Sequence, residues 1–182
     1  VLLFDDIAYG NSLGSTAKFP RNAIAFKWQD EVASTHLREI EWSASRTGLI
    51  NPVAIFDEVE LEGTTVERSS LHNISYIKSL ELGIGDEIEV YKANMIIPQI
   101  AKNITKSGKF EVPVKCPVCG ENTYIDDTNG VEVLMCPKAK CPAKHIKSFV
   151  HFASRDAMNI DGFSEATAEK FIQERFIKHF HD

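Results

Sequence analysis

The chain has 182 residues, 43% hydrophobic and 25% charged, a composition that fits a soluble globular protein of one ordinary domain or a few small modules. No apolar run reaches the length that spans a bilayer, and the N-terminus lacks the basic stretch and apolar core of a secretion signal, so a cytoplasmic protein without a membrane partner is expected. The net charge of −6 argues at first sight against nucleic acid, but Lys+Arg minus Asp+Glu is −8 over residues 1–90, +4 over 91–150 and −2 over 151–182.

The chain opens on Val1 rather than Met and closes on the helical-looking run FIQERFIKHFHD, so it reads as a piece of something longer. From about residue 32 to 112 the pattern is one of short strands. Alternation marks LREIEW (37–42), EVELE (58–62) and DEIEVY (86–91), an apolar run follows in MIIPQIAKNI (95–104), and glycines punctuate the stretch. Short strands without a long helix between them predict a small antiparallel barrel or sandwich. Periodicity does not separate an oligonucleotide-binding (OB) barrel from an SH3-like one, and it treats Ile96 and Ile97 as core.

Cys116, Cys119, Cys136 and Cys141 follow, spaced C-x2-C and C-x4-C with sixteen residues between the pairs. Thiolates on two tight turns can converge on one zinc ion, and a closed four-sulfur shell leaves no position for substrate, so a structural metal is expected. Disulfides or plain buried thiols are the alternatives, though a reducing compartment disfavours disulfides. The segment 111–145 holds few large apolar side chains, so the metal would supply most of its local folding free energy. Lys102, Lys106, Lys109 and Lys115 precede the first pair, and Lys138, Lys140, Lys144 and Lys147 surround the second. Such a stretch can track phosphates or simply form a solvated face.

Beyond Cys141, Ile146, Phe149, Val150 and Ala153 recur at helical spacing, and a second stripe runs through Ala168, Phe171, Ile172 and Phe176. Between them, NIDGFSEAT offers Gly162 to turn the chain and Ser164 to cap the second helix. A hairpin of this kind aims backbone N–H groups at solvent, which suits a phosphate oxygen, and it also occurs as an ordinary helix pair.

Five runs in this order, KFPRNAIAFK (18–27), SRTG (45–48), GTTVERSSLHN (63–73), the four cysteines and HFASRDAMNIDGFS (151–164), closely resemble the central part of bacterial NAD-dependent DNA ligases. The resemblance covers essentially the whole chain. It implies a mainly β fold with a small α part: an OB-fold barrel, then a four-cysteine zinc finger and a helix-hairpin-helix segment. The domains it implies are 1–28, the C-terminal edge of a nucleotidyltransferase (adenylation) domain; 29–112, the OB fold; 113–145, the zinc finger; and 146–182, the start of a helix-hairpin-helix domain.

The resemblance also assigns roles. Lys27 is expected to be the catalytic and cofactor-binding lysine that contacts the adenylate phosphate, a point charge suited to adenylyl transfer. Arg46 and Thr47 are expected to touch DNA near the nick, and Ile96 and Ile97 to press on the minor groove. The implied partners are nicked double-stranded DNA and the missing adenylation and C-terminal domains. The implied cofactors are structural zinc, with NAD and magnesium used by the parent ligase rather than by these residues alone. No K-x-D-G motif, which bears the family's nucleophilic lysine, occurs here, so the 182 residues are not expected to seal nicks unaided. Leu3 stands where the family carries a further lysine, Asn22 where it has an aromatic residue, Ser45 where it has glycine, and Asn94-Met95 where it has glycine-aspartate. Two other readings compete: a non-catalytic adaptor that binds nucleic acid or protein through its barrel and zinc site, and, from the close cysteine pairs alone, a thiol oxidoreductase.

Overall fold

A computed structural model describes residues 1–26 and 30–182, which divide into two units, Val1–Asp30 and Glu31–Asp182. In the first, β1 (Leu2–Leu3) pairs antiparallel with β2 (Ala23–Ile24), with Leu3 opposite Ala23. Between them lies α1 (Ile7–Ser12), whose first turn is capped by the Asp6 carboxylate accepting from the Tyr9 N–H. Leu3 is 69% exposed.

The second unit is built on two long strands, β3 (Val32–Ala44) and β4 (Leu49–Leu61), followed by β5 (Thr64–Ser70), α2 (Ile74–Ser79), β6 (Glu87–Ala93) and β7 (Ile97–Asn103). All neighbours are antiparallel, in the order β7-β6-β3-β4, with β5 on β4. β3 serves two partners: its first half, Val32 to His36, faces β6, and its second half, from Leu37 onward, faces β4. Register shifts between Leu37 and Glu39 and between Ile55 and Val59 supply the bends that a small barrel needs. The ring closes where the Ser69 hydroxyl of β5 donates to the Pro98 carbonyl of β7 at 3.0 Å.

Five antiparallel strands with a helix inserted between the third and fourth form an OB fold, which resolves the choice of barrel that periodicity left open. The core is Leu37, Ile40, Phe56, Leu61, Leu71, Ile77, Ile88, Val90 and Ile100, with Ala54 and Leu82. Alternate residues of β6 point inward, so its burial repeats with a period of two.

The segment after β7 is not an independent appendage. β8 (Tyr124–Asp126) and β9 (Val133–Met135) form a hairpin, and β9 extends the barrel sheet by pairing Leu49 with Met135 and Ile50 with Leu134. A second core of Ala44, Ile50, Ile74, Leu134, Ala143 and the cysteines results, and Trp42 and Phe110 pack on both cores. From the other side α2 docks the same hairpin: the Ile74 N–H donates to the Glu132 carbonyl at 3.0 Å, and Lys78 pairs with the Glu132 carboxylate at 2.5 Å. Two helices close the chain, α3 (Pro142–Ala153) and α4 (Glu165–Gln173).

Asp86, 1% exposed, pins the lead-in to this second core. Its carboxylate accepts from the Gly83 N–H at 2.8 Å, Asn103 Nδ2 at 2.7 Å and the Ser107 N–H at 3.2 Å. Burial by itself raises this carboxyl, but the hydrogen bonds from Ser107, Asn103 and Gly83 outweigh it and hold the pKa below its ordinary value. Asp86→Ala orphans three donors and is expected to cost roughly 3 kcal/mol of stability, read by denaturant titration. Because the folded pKa is depressed, the wild-type contribution is complete above the unfolded carboxyl value and disappears as pH falls through the folded one. Acid titration of Asp86→Ala should therefore be flatter than wild type below about pH 4. Parallel acid curves would remove Asp86 as a source of this dependence.

Candidate metal centre and nucleic-acid interface

Three local devices place the four cysteines. Cys116 and Cys119 sit on a tight turn in which the Gly120 N–H donates to the Cys116 carbonyl at 3.0 Å, with Gly120 at φ +67°. Cys136 directly follows β9, and its N–H donates to the Gly48 carbonyl at 2.8 Å. Cys141 is the N-cap of α3, with Pro142 in the first turn. These devices bring all four Sγ atoms within 4.8 Å of one another, and Cys119 and Cys136 lie 3.6 Å apart.

All four are free thiols. Tetrahedral thiolate coordination separates sulfurs by about 3.8 Å, against about 2.05 Å for a disulfide, so the mutual spacing fits a shared cation. The electrostatics point the same way. A hydrogen bond from the Glu121 backbone lowers the Cys119 pKa to about 7. Burial pushes Cys136 up to about 12 and raises Cys141 as well. Four clustered thiols cannot all ionise without a counter-charge, and a soft divalent cation supplies one. The cluster can hold a metal ion in a closed shell with no position for a substrate.

The SRTG run is the β3–β4 turn. The Ser45 N–H donates to the Leu49 carbonyl at 2.7 Å, the Gly48 N–H to the Ser45 carbonyl at 3.1 Å, and the Ser45 and Thr47 hydroxyls lie 3.0 Å apart. Gly48 adopts φ +94°, while Arg46 and Thr47 are exposed. At the other end of β3, the β6–β7 hairpin turns through Asn94 and Met95, both left-handed at φ +53° and +64°. This turn carries Met95, Ile96 and Ile97 to the surface at 71%, 75% and 55% exposure. Treating Ile96 and Ile97 as core residues, as their apolar character alone suggests, is therefore wrong. The left-handed pair ends the strand alternation before it reaches Ile96.

Lys92 was not singled out by sequence. It is 4% exposed and donates to the Leu61 carbonyl at 2.7 Å and to the Thr64 hydroxyl, tying the β4–β5 turn to this hairpin. Lys27 lies outside the described residues.

The lysine-rich stretch is only partly free. Lys102 pairs with Glu89 at 3.0 Å, Lys106 with Glu81 at 3.9 Å and Lys147 with Glu165 at 3.9 Å, and Lys144 donates to the Cys136 carbonyl at 2.8 Å. Lys109, Lys115, Lys138 and Lys140 are exposed and make no ion pair among the described residues. In the α3–α4 connection Gly162 is left-handed at φ +72° and Ser164 caps α4, as expected. The Gly162 N–H does not face open solvent; it donates to the Asp161 carboxylate at 3.0 Å. The second apolar stripe is also shorter than expected: α4 ends at Gln173, Arg175 is left-handed, and Phe176 lies beyond the helix at 68% exposure.

Residues 34–111 match the family model of the NAD-dependent DNA ligase OB-fold domain. The whole chain is 65% identical to a DNA ligase of Lachnoclostridium phytofermentans and 64% identical to one of Ruminiclostridium cellulolyticum. Over its full length the chain is similar to a segment of DNA ligases, and its barrel matches the OB-fold domain of the NAD-dependent kind. It covers 28% of each of those ligases, and 97% of it aligns at 39% identity with 27% of a Lactobacillus gasseri DNA ligase. Among the described residues no helix is long and apolar enough to cross a membrane. The ligase OB domain thus carries the exposed Arg46-Thr47 turn and the apolar hairpin tip, and its sheet continues into the cysteine cluster.

Proposed function

We propose that these residues are the DNA-clamping middle of a cytoplasmic NAD-dependent DNA ligase, holding nicked duplex while the phosphodiester bond forms. The observation that carries this reading is 65% identity with a DNA ligase over the full 182 residues, joined to two kinds of exposed contact at opposite ends of β3. Arg46 and Thr47 offer a guanidinium and a hydroxyl to phosphate or minor-groove acceptors. Ile96 and Ile97 offer an apolar wedge, and a wedge is cheapest to insert where the backbone is already broken. The thirteen residues of β3 lie between these contacts, a length of about 40 Å if straight and comparable with one turn of duplex. The exposed lysines 109, 115, 138 and 140 follow the phosphate backbone.

The bound metal is zinc, and it joins the barrel to a helix-hairpin-helix segment beginning near residue 146. Domain limits of 1–28, 29–112, 113–145 and 146–182 belong to the same reading. In the longer protein, adenylate passes from NAD to a lysine outside these residues and then to the 5′ phosphate, with magnesium supporting the phosphoryl chemistry. Lys27 contacts the adenylate phosphate.

The test is the affinity of the zinc-loaded chain for a nicked duplex and for the same duplex intact, at two salt concentrations. Preference for the nick, with a log–log salt slope near −0.9 for each phosphate contacted, is the expected result. Equal or undetectable binding at low salt overturns the clamp and leaves a non-catalytic adaptor as the better account.

A further inference from the structure

The β3–β4 turn is held from outside the barrel. Gly48 is its pivot, and two arms reach it from two different cysteines of the metal centre. The first is direct: the Cys136 N–H donates to the Gly48 carbonyl at 2.8 Å. The second runs through Cys141, which starts α3 and so fixes where Lys144, in the first turn of that helix, can reach. Lys144 lies across Gly48 and donates to the Cys136 carbonyl at 2.8 Å. The contact is close enough that a Cβ on residue 48 would stand 2.5 Å from Lys144 Cε and 2.8 Å from the Cys136 carbonyl oxygen. Glycine is required there by this approach as well as by its φ of +94°.

Nothing inside the barrel replaces these arms. The turn has two backbone bonds of its own, Ser45 to Leu49 and Gly48 to Ser45, and Arg46 and Thr47 are exposed. Lys144 is half-buried and pairs with no carboxylate among the described residues. Its ammonium is thus held beside the turn by one backbone carbonyl.

We infer that Lys144 is a positioning residue for the Arg46-Thr47 turn, and that the metal ion acts on nucleic-acid binding through it and through Cys136. The link to binding rests on the proposal that Arg46 and Thr47 contact DNA. The positioning itself does not. The metal sets the distance between Cys136 and Cys141, Cys141 sets the start of α3, and Lys144 closes over Gly48 only when both are fixed. A lysine far downstream in sequence completes a turn whose own residues look self-sufficient.

The test compares amide hydrogen exchange and nicked-duplex affinity in zinc-loaded wild type and Lys144→Met, with zinc content and thermal midpoint measured on both. Lys144→Met should keep its zinc, its midpoint and the protection of the Ile88 amide in the barrel core. The Gly48 and Cys136 amides should exchange about tenfold faster, the worth of roughly one hydrogen bond, and nicked-duplex affinity should fall in step. Unchanged protection at Gly48 and Cys136 overturns the inference. Faster exchange with unchanged affinity upholds the positioning and overturns the DNA role of the turn, so the two failures are distinct. Should Lys144→Met not fold, chelation of zinc from the wild-type chain tests the same arms. It should release Gly48 while Ile88 stays protected, and a Gly48 amide that remains protected without zinc overturns the inference.

Discussion

Removing the metal with a chelator is expected to unfold the cysteine segment, about residues 113–145, and to leave the OB barrel standing. The two cores differ in what supports them. Eleven buried apolar residues fill the barrel, whereas the second core has eight buried members, three of them candidate ligands, with the fourth, Cys119, packed against them. Structural zinc sites are worth on the order of 10 kcal/mol near neutral pH, more than so small a core supplies by itself. Without the ion, close packing of thiols whose pKa burial has raised, Cys136 to about 12, supplies no comparable attraction. The Cys136 and Leu134 amides should lose protection together, α3 should fray from its Cys141 cap, and Leu37, Ile88 and Val90 should stay protected. The barrel will loosen slightly, because Trp42 and Phe110 lose part of their packing. The same release should occur in acid. Ligation requires thiolates, so protons compete with the metal and its affinity falls as pH drops, more steeply once the pH passes below the Cys119 value of about 7. Simultaneous loss of protection in barrel and cysteine segment would mean one cooperative unit, and an indifferent chelator would mean that the cluster holds no metal.

What sequence could and could not foretell follows from where each signal is written. The alternation in β6 is legible because every second residue is buried, whereas the first half of β4, LINPVAIF, is buried with the same period but carries apolar residues on both faces and so shows no alternation. β3 and β4 read as short strands because a register shift breaks the alternation in each, although each runs for thirteen residues. β5 is nearly invisible: TTVERSS buries only Ser69, and its strand character comes from pairing with β4. α2 is six residues long, too short for a helical period, and its best clue is the Asn73 cap. The cysteine spacing foretold that four thiols converge, because the chemistry of metal ligation favours that spacing. The same spacing is silent about Gly48, whose constraint comes from Cys136 and Lys144, residues far away in the chain. The exposure of Ile96 and Ile97 contradicts their composition, and its cause is the backbone at Asn94 and Met95, where a methionine at positive φ gives no sequence signal.

Replacing Ile96 and Ile97 together by glutamate is expected to abolish binding of nicked duplex while leaving the fold intact. At 75% and 55% exposure, neither side chain contributes much burial to folding, so the thermal midpoint should hold. A core pair given two charges would instead lose several kcal/mol. In the bound state the balance reverses. Isoleucines pressed into a minor groove gain about 1.5–3 kcal/mol each by leaving water, or about tenfold to a hundredfold in affinity per side chain. Glutamates forfeit that gain and add two charges facing phosphates. Loss should therefore exceed about a hundredfold and be larger for nicked than for intact duplex, since the unstacking that admits a wedge is cheapest at a break. Ile97→Val, which keeps most of the apolar contact, should lose little. A double variant that melts several degrees early would return these residues to the core. One that folds and binds as wild type would show that the hairpin tip does not touch DNA, and would leave the Arg46-Thr47 turn and the exposed lysines to account for whatever binding remains.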